Sequence, residues 1–357
     1  MSQEPENILG GKICRVTLDL LAERVAALAD TDREVFLYPH IRADADALGA
    51  CLAMQEILRQ IGVRSRVVAE ESPEEVIGFV NTDAAVMGVF GYDEFPLERQ
   101  AMAIALDNSG GSRLGRRLSM YDSAPEQWVI DHHIPDQPDE SPHIWRDTAA
   151  AACCEMLTRL GIYWHEHFPQ LQINEDCANL LMMGLLTDTG RFLYANTTSG
   201  SFMTAAYLVE HGAHVADLNL YMYDALTEIQ MRLRGLVFQR VSSLCGGRIM
   251  IDLVTCGEMR EYKASEDDLS GVASELRRVS GVELAVILRE VEPGKYRASV
   301  RSDDGGAARR LALRFDGGGH AAAAGFTLQA GSPQDCLEQV KAAATEEMSC
   351  APERELP

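Results

Sequence analysis

No stretch of the chain reaches the about 18 consecutive apolar residues that a membrane-spanning helix needs, so no span is expected. Nine cysteines occur, yet none forms a Cys-x-x-Cys pair, which excludes the paired-thiolate zinc and redox motifs. Cys153 and Cys154 are adjacent within a helical pattern, and all nine are expected to be reduced thiols of a cytoplasmic protein. The polar, acidic N-terminus lacks the basic start and apolar core of a signal peptide. Positive charge is also short: 32 Lys and Arg face 54 Asp and Glu, for a net charge of −22. Proteins hold long nucleic acids largely by neutralising many phosphates, so a long duplex is not an expected partner. Repeats and low-complexity segments are absent.

What is present is an ordinary globular composition, 46% hydrophobic over 357 residues, long enough for two domains with full cores. The periodicity predicts a helix over 13–30 and a buried strand at 35–38. A helix beginning near Gly49 should run to 61 and stop at Gly62. Strands follow at 63–68, 102–106 and 128–130, with helices at 74–80, 149–160 and 174–186 and a Pro-rich loop over 134–146. Strands alternating with helices argue for an α/β fold whose mainly parallel sheet is flanked by helices. After about residue 222 the pattern changes. A helix over 225–241 precedes a strand at 248–254, a helix at 267–280, strands at 282–291 and 296–302 and a helix at 307–315. A glycine-rich loop at 317–320, a strand at 324–328 and a terminal helix complete the chain. The expected organisation is an N-terminal domain over 1–222, a helical linker over 223–241, a smaller α+β domain over 242–348 and a disordered tail at 349–357.

The chemistry collects at strand and helix ends. The strand at 35–38 empties into a loop with His40, Asp44 and Asp46, where open α/β sheets bind ligands. In an extended loop Asp44 and Asp46 would point to different sides and serve different ions. The strand at 102–106 runs into Asp107, the next into Asp131, His132 and His133, and the helix at 174–186 into Asp188, Thr189 and Gly190. Singly, each is an ordinary turn, corner or cap. Several acids on one rim repel one another unless cations lie among them. Oxygen and imidazole donors without cysteine suit Mn²⁺ or Mg²⁺ better than structural Zn²⁺. Two such ions about 3.5–4 Å apart, sharing one carboxylate, would hold a hydroxide and clamp a phosphoryl group. Other charged residues carry plainer readings. His165 and His167 read as core-edge residues, and His211 and His214 as a helix end. Arg113, Arg116 and Arg117 form either a solvated helix face or an anion-steering group.

The pattern His-x-x-x-Asp-x-Asp-x-x-Gly, then Asp107, then Asp131-His132-His133, then Asp188-Thr189-Gly190, resembles the DHH phosphoesterase superfamily. Gly317-Gly318-Gly319-His320 followed by Ala323-Ala324-Gly325 resembles the DHH-associated C-terminal domain. The likeness spans roughly 15–345 and is nearest the bifunctional oligoribonucleases (nanoRNases) that also dephosphorylate adenosine 3′,5′-bisphosphate (pAp). It implies two divalent ions, Mn²⁺ ahead of Mg²⁺. His40 and Asp44 match ligands of one ion, Asp46, His132 and Asp188 ligands of the other, and Asp107 the bridging carboxylate. Asp131 resembles the acid that orients a ligand imidazole, and His133 the residue that faces the scissile phosphate. Arg301, Ser302 and His320 match a grip on the substrate's terminal phosphate, with the amides of Gly317, Gly318 and Gly319 close to it. Ala321 and Ala322 stand where relatives often carry a basic residue, which weakens that grip.

The resemblance implies a metal-dependent exonuclease that trims short single-stranded RNA to nucleoside 5′-monophosphates, acting also on pAp. A homodimer is compatible with it, and a membrane partner is not expected. Alternatives are hydrolysis of linear or cyclic dinucleotides, a RecJ-like exonuclease on long single strands, and a non-catalytic nucleotide sensor. The glycine-His loop argues against an inorganic pyrophosphatase.

Overall fold

A computed structural model describes residues 6–71, 87–89, 91, 93–135, 141–303 and 305–349. The helix expected at 74–80 and all but Ser349 of the tail expected at 349–357 lie outside them. The chain divides into two compact units, Met1–Asp224 and Ala225–Pro357.

The first unit opens with a hairpin of β1 (Glu6–Ile8) and β2 (Gly11–Ile13) and the helix α1 (Arg15–Ala26). There follow β3 (Glu34–Tyr38), α2 (Ala45–Gln60), β4 (Arg64–Ala69), β5 (Met87–Val89), β6 (Gln100–Leu106) and the short α3 (Leu118–Asp122). Then come β7 (Gln127–Asp131), β8 (Ile144–Arg146), α4 (Cys153–Trp164), α5 (Glu175–Asp188), α6 (Ser199–Glu210) and α7 (Val215–Asn219). Six strands form one sheet in the order β5-β4-β3-β6-β7-β8, with every pairing parallel. Val35, Phe36, Leu37 and Tyr38 of the central β3 are all fully buried, as parallel strands covered on both faces must be. The order reverses between β3 and β6. That switch point leaves a crevice beyond the strands' carboxyl ends.

Two expectations are corrected here. The helix after β3 starts at Ala45, not near Gly49, because Asp44 caps it, accepting from the amides of Asp46 and Ala47 at 3.1 Å each. Such a side chain satisfies amides that the first helical turn leaves free. Asp44 and Asp46 therefore occupy a cap and a first turn rather than an extended loop. The second correction is β8, which pairs with β7 inside the segment expected to be only loop.

The second unit contains α8 (Glu228–Arg240), β9 (Ser242–Leu244), β10 (Ile249–Val254), α9 (Cys256–Glu261), α10 (Val272–Arg277) and β11 (Leu284–Glu292). It ends with β12 (Lys295–Ser302), α11 (Ala307–Leu313), β13 (Gly318–Gly319), β14 (Ala323–Gln329) and α12 (Pro333–Glu347). Its sheet runs β13-β14-β12-β11-β10-β9, with only β10 and β11 parallel. Leu233 and Val237 of α8 are fully buried against α10 and the sheet face carrying Ala285 and Ile287. The other face packs on α11 and α12. The helix expected over 267–280 is broken into a 3-10 turn at Asp267–Leu269 and α10, because Gly271 between them takes a left-handed φ of 82°. Cys245 is disulfide-bonded, so the expectation of nine free thiols fails there. The glycine loop is in part a strand: β13 pairs with β14.

Candidate metal centre and phosphate-binding residues

The crevice gathers residues from five elements. His40 follows β3, Asp44 caps α2 and Asp46 lies in its first turn. Asp107 follows β6, His132 and His133 follow β7, and Asp188 ends α5. His40, Asp44 and Asp107 each offer a ligand atom, all within 4.8 Å of one another, and so do Asp46, His132 and Asp188. Asp107 faces both groups. Its Oδ2 lies 3.4 Å from His40 Nε2 and its Oδ1 lies 3.2 Å from His132 Nε2.

The surroundings aim these atoms inward. His40 Nδ1 donates to the Ile41 carbonyl at 2.7 Å and His132 Nδ1 to the Ala150 carbonyl at 3.3 Å. Each bond leaves Nε2 as the atom available to an ion. Asp46 is fully buried and accepts from the amides of Cys153 and Cys154 at 2.6 and 2.9 Å. It thereby supplies the cap that Ala152 cannot give α4. Each carboxylate oxygen has a second lone pair for an ion. Gly184 makes room for it: a Cβ there would lie 2.4 Å from Cys154 Sγ and 2.5 Å from Asp46 Oδ1. Asp107 has a left-handed φ of 58°, a strain that non-glycine residues carry mostly at functional sites.

The electrostatics suit cations. Burial raises the carboxyl pKa of Asp46, and the carboxylates of Asp107 and Asp188 raise it further. Asp188 is raised by burial and by Asp107, against the pull of His132. Burial would lower His40, but Asp107 and Asp44 prevail and lift it to about 10. His132 is lifted against burial to about 11 by Asp107, Asp188 and Asp46. Without metal, protons do the neutralising. Asp107 Oδ1 and His132 Nε2 are also buried without a hydrogen-bond partner. A buried polar atom left unpaired is costly, so this orphaned pair fits a divalent ion between them.

Asp131 does something other than expected. It holds His133, which lies with Asp107 and His132 in a third group of close donor atoms, rather than His40 or His132: Oδ1 accepts from His133 Nδ1 at 2.8 Å and from the His133 amide at 3.1 Å. Ser109 Oγ donates to its Oδ2 at 2.6 Å, and Arg146 donates to the same oxygen and to the His133 carbonyl. These bonds hold the Asp131 carboxyl well below the usual range, against burial. His133 Nε2 faces outward, 3.4 Å from Arg113 Nη1. Sequence reasoning missed Ser109 and Arg146. Their only signal is nearness in sequence to Asp107 and to β8. The arginine trio also separates: Arg117 is fully buried, Arg116 pairs with Glu70, and Arg113 alone reaches the site.

In the second unit, Arg301 lies opposite Ala323 in the β12–β14 register, and the His320 amide donates to the Ala323 carbonyl at 2.8 Å. The two are thus brought to one end of the sheet, with His320 exposed. Ser302 is not free: its Oγ donates to the carbonyls of Asp303 and Ala321 and accepts from the Ala308 amide at 3.0 Å, and it is buried. The three glycines differ. A Cβ at 317 would lie 2.3 Å from the Gly325 carbonyl and one at 319 would lie 2.5 Å from the Ala323 carbonyl, whereas Gly318 opens on free space. Gly317 and Gly319 lie too close to β14 for a side chain, whereas Gly318, itself paired with Gly325, leaves its Cα side open to a ligand.

The DHH family N-terminal domain model matches residues 34–185, and the DHHA1 domain model matches 246–349. The chain is 28% identical over 310 residues to the bifunctional oligoribonuclease and PAP phosphatase NrnA of Bacillus subtilis, covering 85% of this chain and 91% of that one. It is 29% identical to the protein of the same name from Thermus thermophilus, covering 93% and 94%. Among solved structures, an exopolyphosphatase-related protein from Bacteroides fragilis shares the fold with a TM-score of 0.76 at 21% identity, covering 94% of this chain and 97% of that one. RecJ of Thermus thermophilus in complex with Mn²⁺ superposes with a TM-score of 0.50 at 15% identity, covering 94% of this chain and 55% of that one.

Proposed function

From the premise that this chain carries a DHH family N-terminal domain followed by a DHHA1 domain, we propose that it is a phosphoesterase that hydrolyses short oligoribonucleotides to nucleoside 5′-monophosphates and also dephosphorylates pAp. The observation that carries the reading is Asp107, which presents one oxygen to each of two ligand groups. His40, Asp44 and Asp107 would hold one divalent ion and Asp46, His132, Asp188 and Asp107 the other. Such ions, when bound, polarise phosphoryl oxygens and lower the pKa of water. Mn²⁺ is the expected metal from the donor set, with Mg²⁺ second.

The chain's own residues divide the remaining work. Asp131 fixes His133 with Nδ1 as the donor, so Nε2 is turned to the substrate; once the imidazole takes up a second proton, held by the Asp131 carboxylate, its Nε2–H can hydrogen-bond a phosphate oxygen and pass that proton to the leaving oxygen. Arg113 adds a positive charge beside it. Arg301, His320 and Gly318, where a Cβ would meet nothing, grip the terminal phosphate. Ser302 shapes that grip by tying β12 to the start of α11. The relatives named for oligoribonuclease and PAP phosphatase activity match at 91% and 94% of their length, which supports the same substrates here. The acidity of the chain favours short substrates over long ones.

The test is product analysis on labelled di- to pentaribonucleotides, with pAp alongside, in Mn²⁺ and in Mg²⁺. Mononucleotides from each rung support the reading. A metal-loaded protein that binds nucleotides and turns over none of them is the sensor instead. Turnover of long single strands in preference to short ones makes it RecJ-like.

A further inference from the structure

Directly after Asp188 the chain makes a costly turn. Arg191 and Phe192 both take left-handed backbone conformations, with φ of 61° and 64°, which non-glycine residues avoid unless the surroundings hold them there. The turn is well anchored. The Phe192 amide donates to Thr189 Oγ1 at 3.0 Å, and the amides of Leu193 and Tyr194 donate to the Thr189 carbonyl at 2.9 and 3.0 Å. Asn196 Nδ2 ties the segment to the Asp188 carbonyl at 2.9 Å, and the Phe192 ring stacks on Phe202.

This anchoring presents two rings instead of burying them. Tyr194 lies against Gly190, so close that a Cβ there would come within 2.4 Å of its ring, yet its residue is 61% exposed. Tyr223 comes from the π-helical turn Leu220–Asp224, is 37% exposed, and carries the Arg191 guanidinium over its ring at 4.8 Å. Burial lifts the Tyr223 phenol to about 12, with Tyr194 and Asp188 adding and Arg191 opposing, so all four groups share one neighbourhood. A ring left in water adds little to folding. A flat apolar face backed by a guanidinium is what a nucleobase stacks on.

We propose that Tyr194 and Tyr223, with Arg191, form the shelf on which the base next to the scissile phosphate stacks. The inference rests on the phosphoesterase reading above and adds a base-binding subsite to it. Every base has a π face, so the shelf accepts all four, and larger purines gain more than pyrimidines.

The test compares diadenylate with its abasic analogue in the full-length, Mn²⁺-loaded protein, using Tyr194→Ala, Tyr223→Ala and the matching Phe variants. Either Ala variant should lower the ratio of kcat/KM for diadenylate over the abasic analogue about tenfold, mainly through KM. The Phe variants, which keep the ring, should restore it. Binding of AMP against ribose 5-phosphate gives a second readout that needs no turnover. AMP affinity should fall about tenfold in the Ala variants and ribose 5-phosphate affinity should not. Equal losses on both members of each pair overturn the shelf. So does an unchanged ratio accompanied by a change in sedimentation, which makes this face a contact between copies of the chain. If the wild-type protein hydrolyses no nucleotide at all, the phosphoesterase reading fails, while the AMP arm still decides the shelf.

Discussion

Asp107 combines two unfavourable features: a strained backbone and a buried oxygen without a partner. Such strain costs about 1–3 kcal/mol and is kept where the surroundings require it. Asp107→Ala removes the carboxylate shared by both ligand groups. Bound Mn²⁺ should fall, and dinucleotide turnover should drop more than about 100-fold, beyond what loss of an outer partner costs. Unchanged turnover would contradict the bridging role. Asp131→Asn tests a different link. It should lower kcat about 10–100-fold through a misheld His133, with metal content unchanged on elemental analysis. Loss of metal would show that Asp131 acts through the ligands after all. The acids themselves were legible in the sequence because each sits at or just past the end of a strand or at one end of a helix. The target of Asp131 was not, since two consecutive histidines after an extended strand point to opposite sides. No pattern says which of them turns back to the carboxylate.

At the scale of elements, the alternating pattern revealed the parallel sheet, and the hairpins after residue 280 revealed the mixed one. The start of α2 was misread because Gly49 resembles a boundary, whereas Asp44 has both jobs, cap and member of a ligand group. The strand β8 escaped because it is three residues long and follows a Pro-rich stretch. Helix packing is specific enough to test. Gly184→Val would drive its side chain into Cys154 and Asp46. Overpacking of this kind costs about 1–3 kcal/mol, so a lower Tm and weaker Mn²⁺ binding are expected together. A lower Tm with metal affinity intact would mean that Asp46 is not displaced. Arg117→Met is a second test. The fully buried guanidinium donates to the carbonyls of Val68, Pro39 and Leu114 and pairs with Glu70. Its loss should cost about 3 kcal/mol, read as a shift in the urea midpoint.

Across the whole molecule the net charge is −22, and four of the acids, Asp44, Asp46, Asp107 and Asp188, meet at the crevice. In the metal-free protein the neighbouring carboxylates lift His40 to about 10 and His132 to about 11, from the ordinary value of 6.5, and burial raises Asp46 and Asp188 as well. Groups with raised folded pKa values stabilise the metal-free fold at low pH, and that contribution is lost as pH climbs through those values. Ions that replace the protons remove the penalty. The Tm gained on adding Mn²⁺ should therefore be larger at pH 8.5 than at pH 6, and binding should release protons. Equal gains at both pH values would mean that the ions bind elsewhere. The most direct measurement is the number of Mn²⁺ ions held by the metal-stripped protein at pH 8, read by equilibrium dialysis beside dinucleotide turnover. Two ions per chain, with turnover appearing as the second one binds, is the predicted result. A folded chain that holds no ion, or that cleaves at full rate without one, contradicts the account.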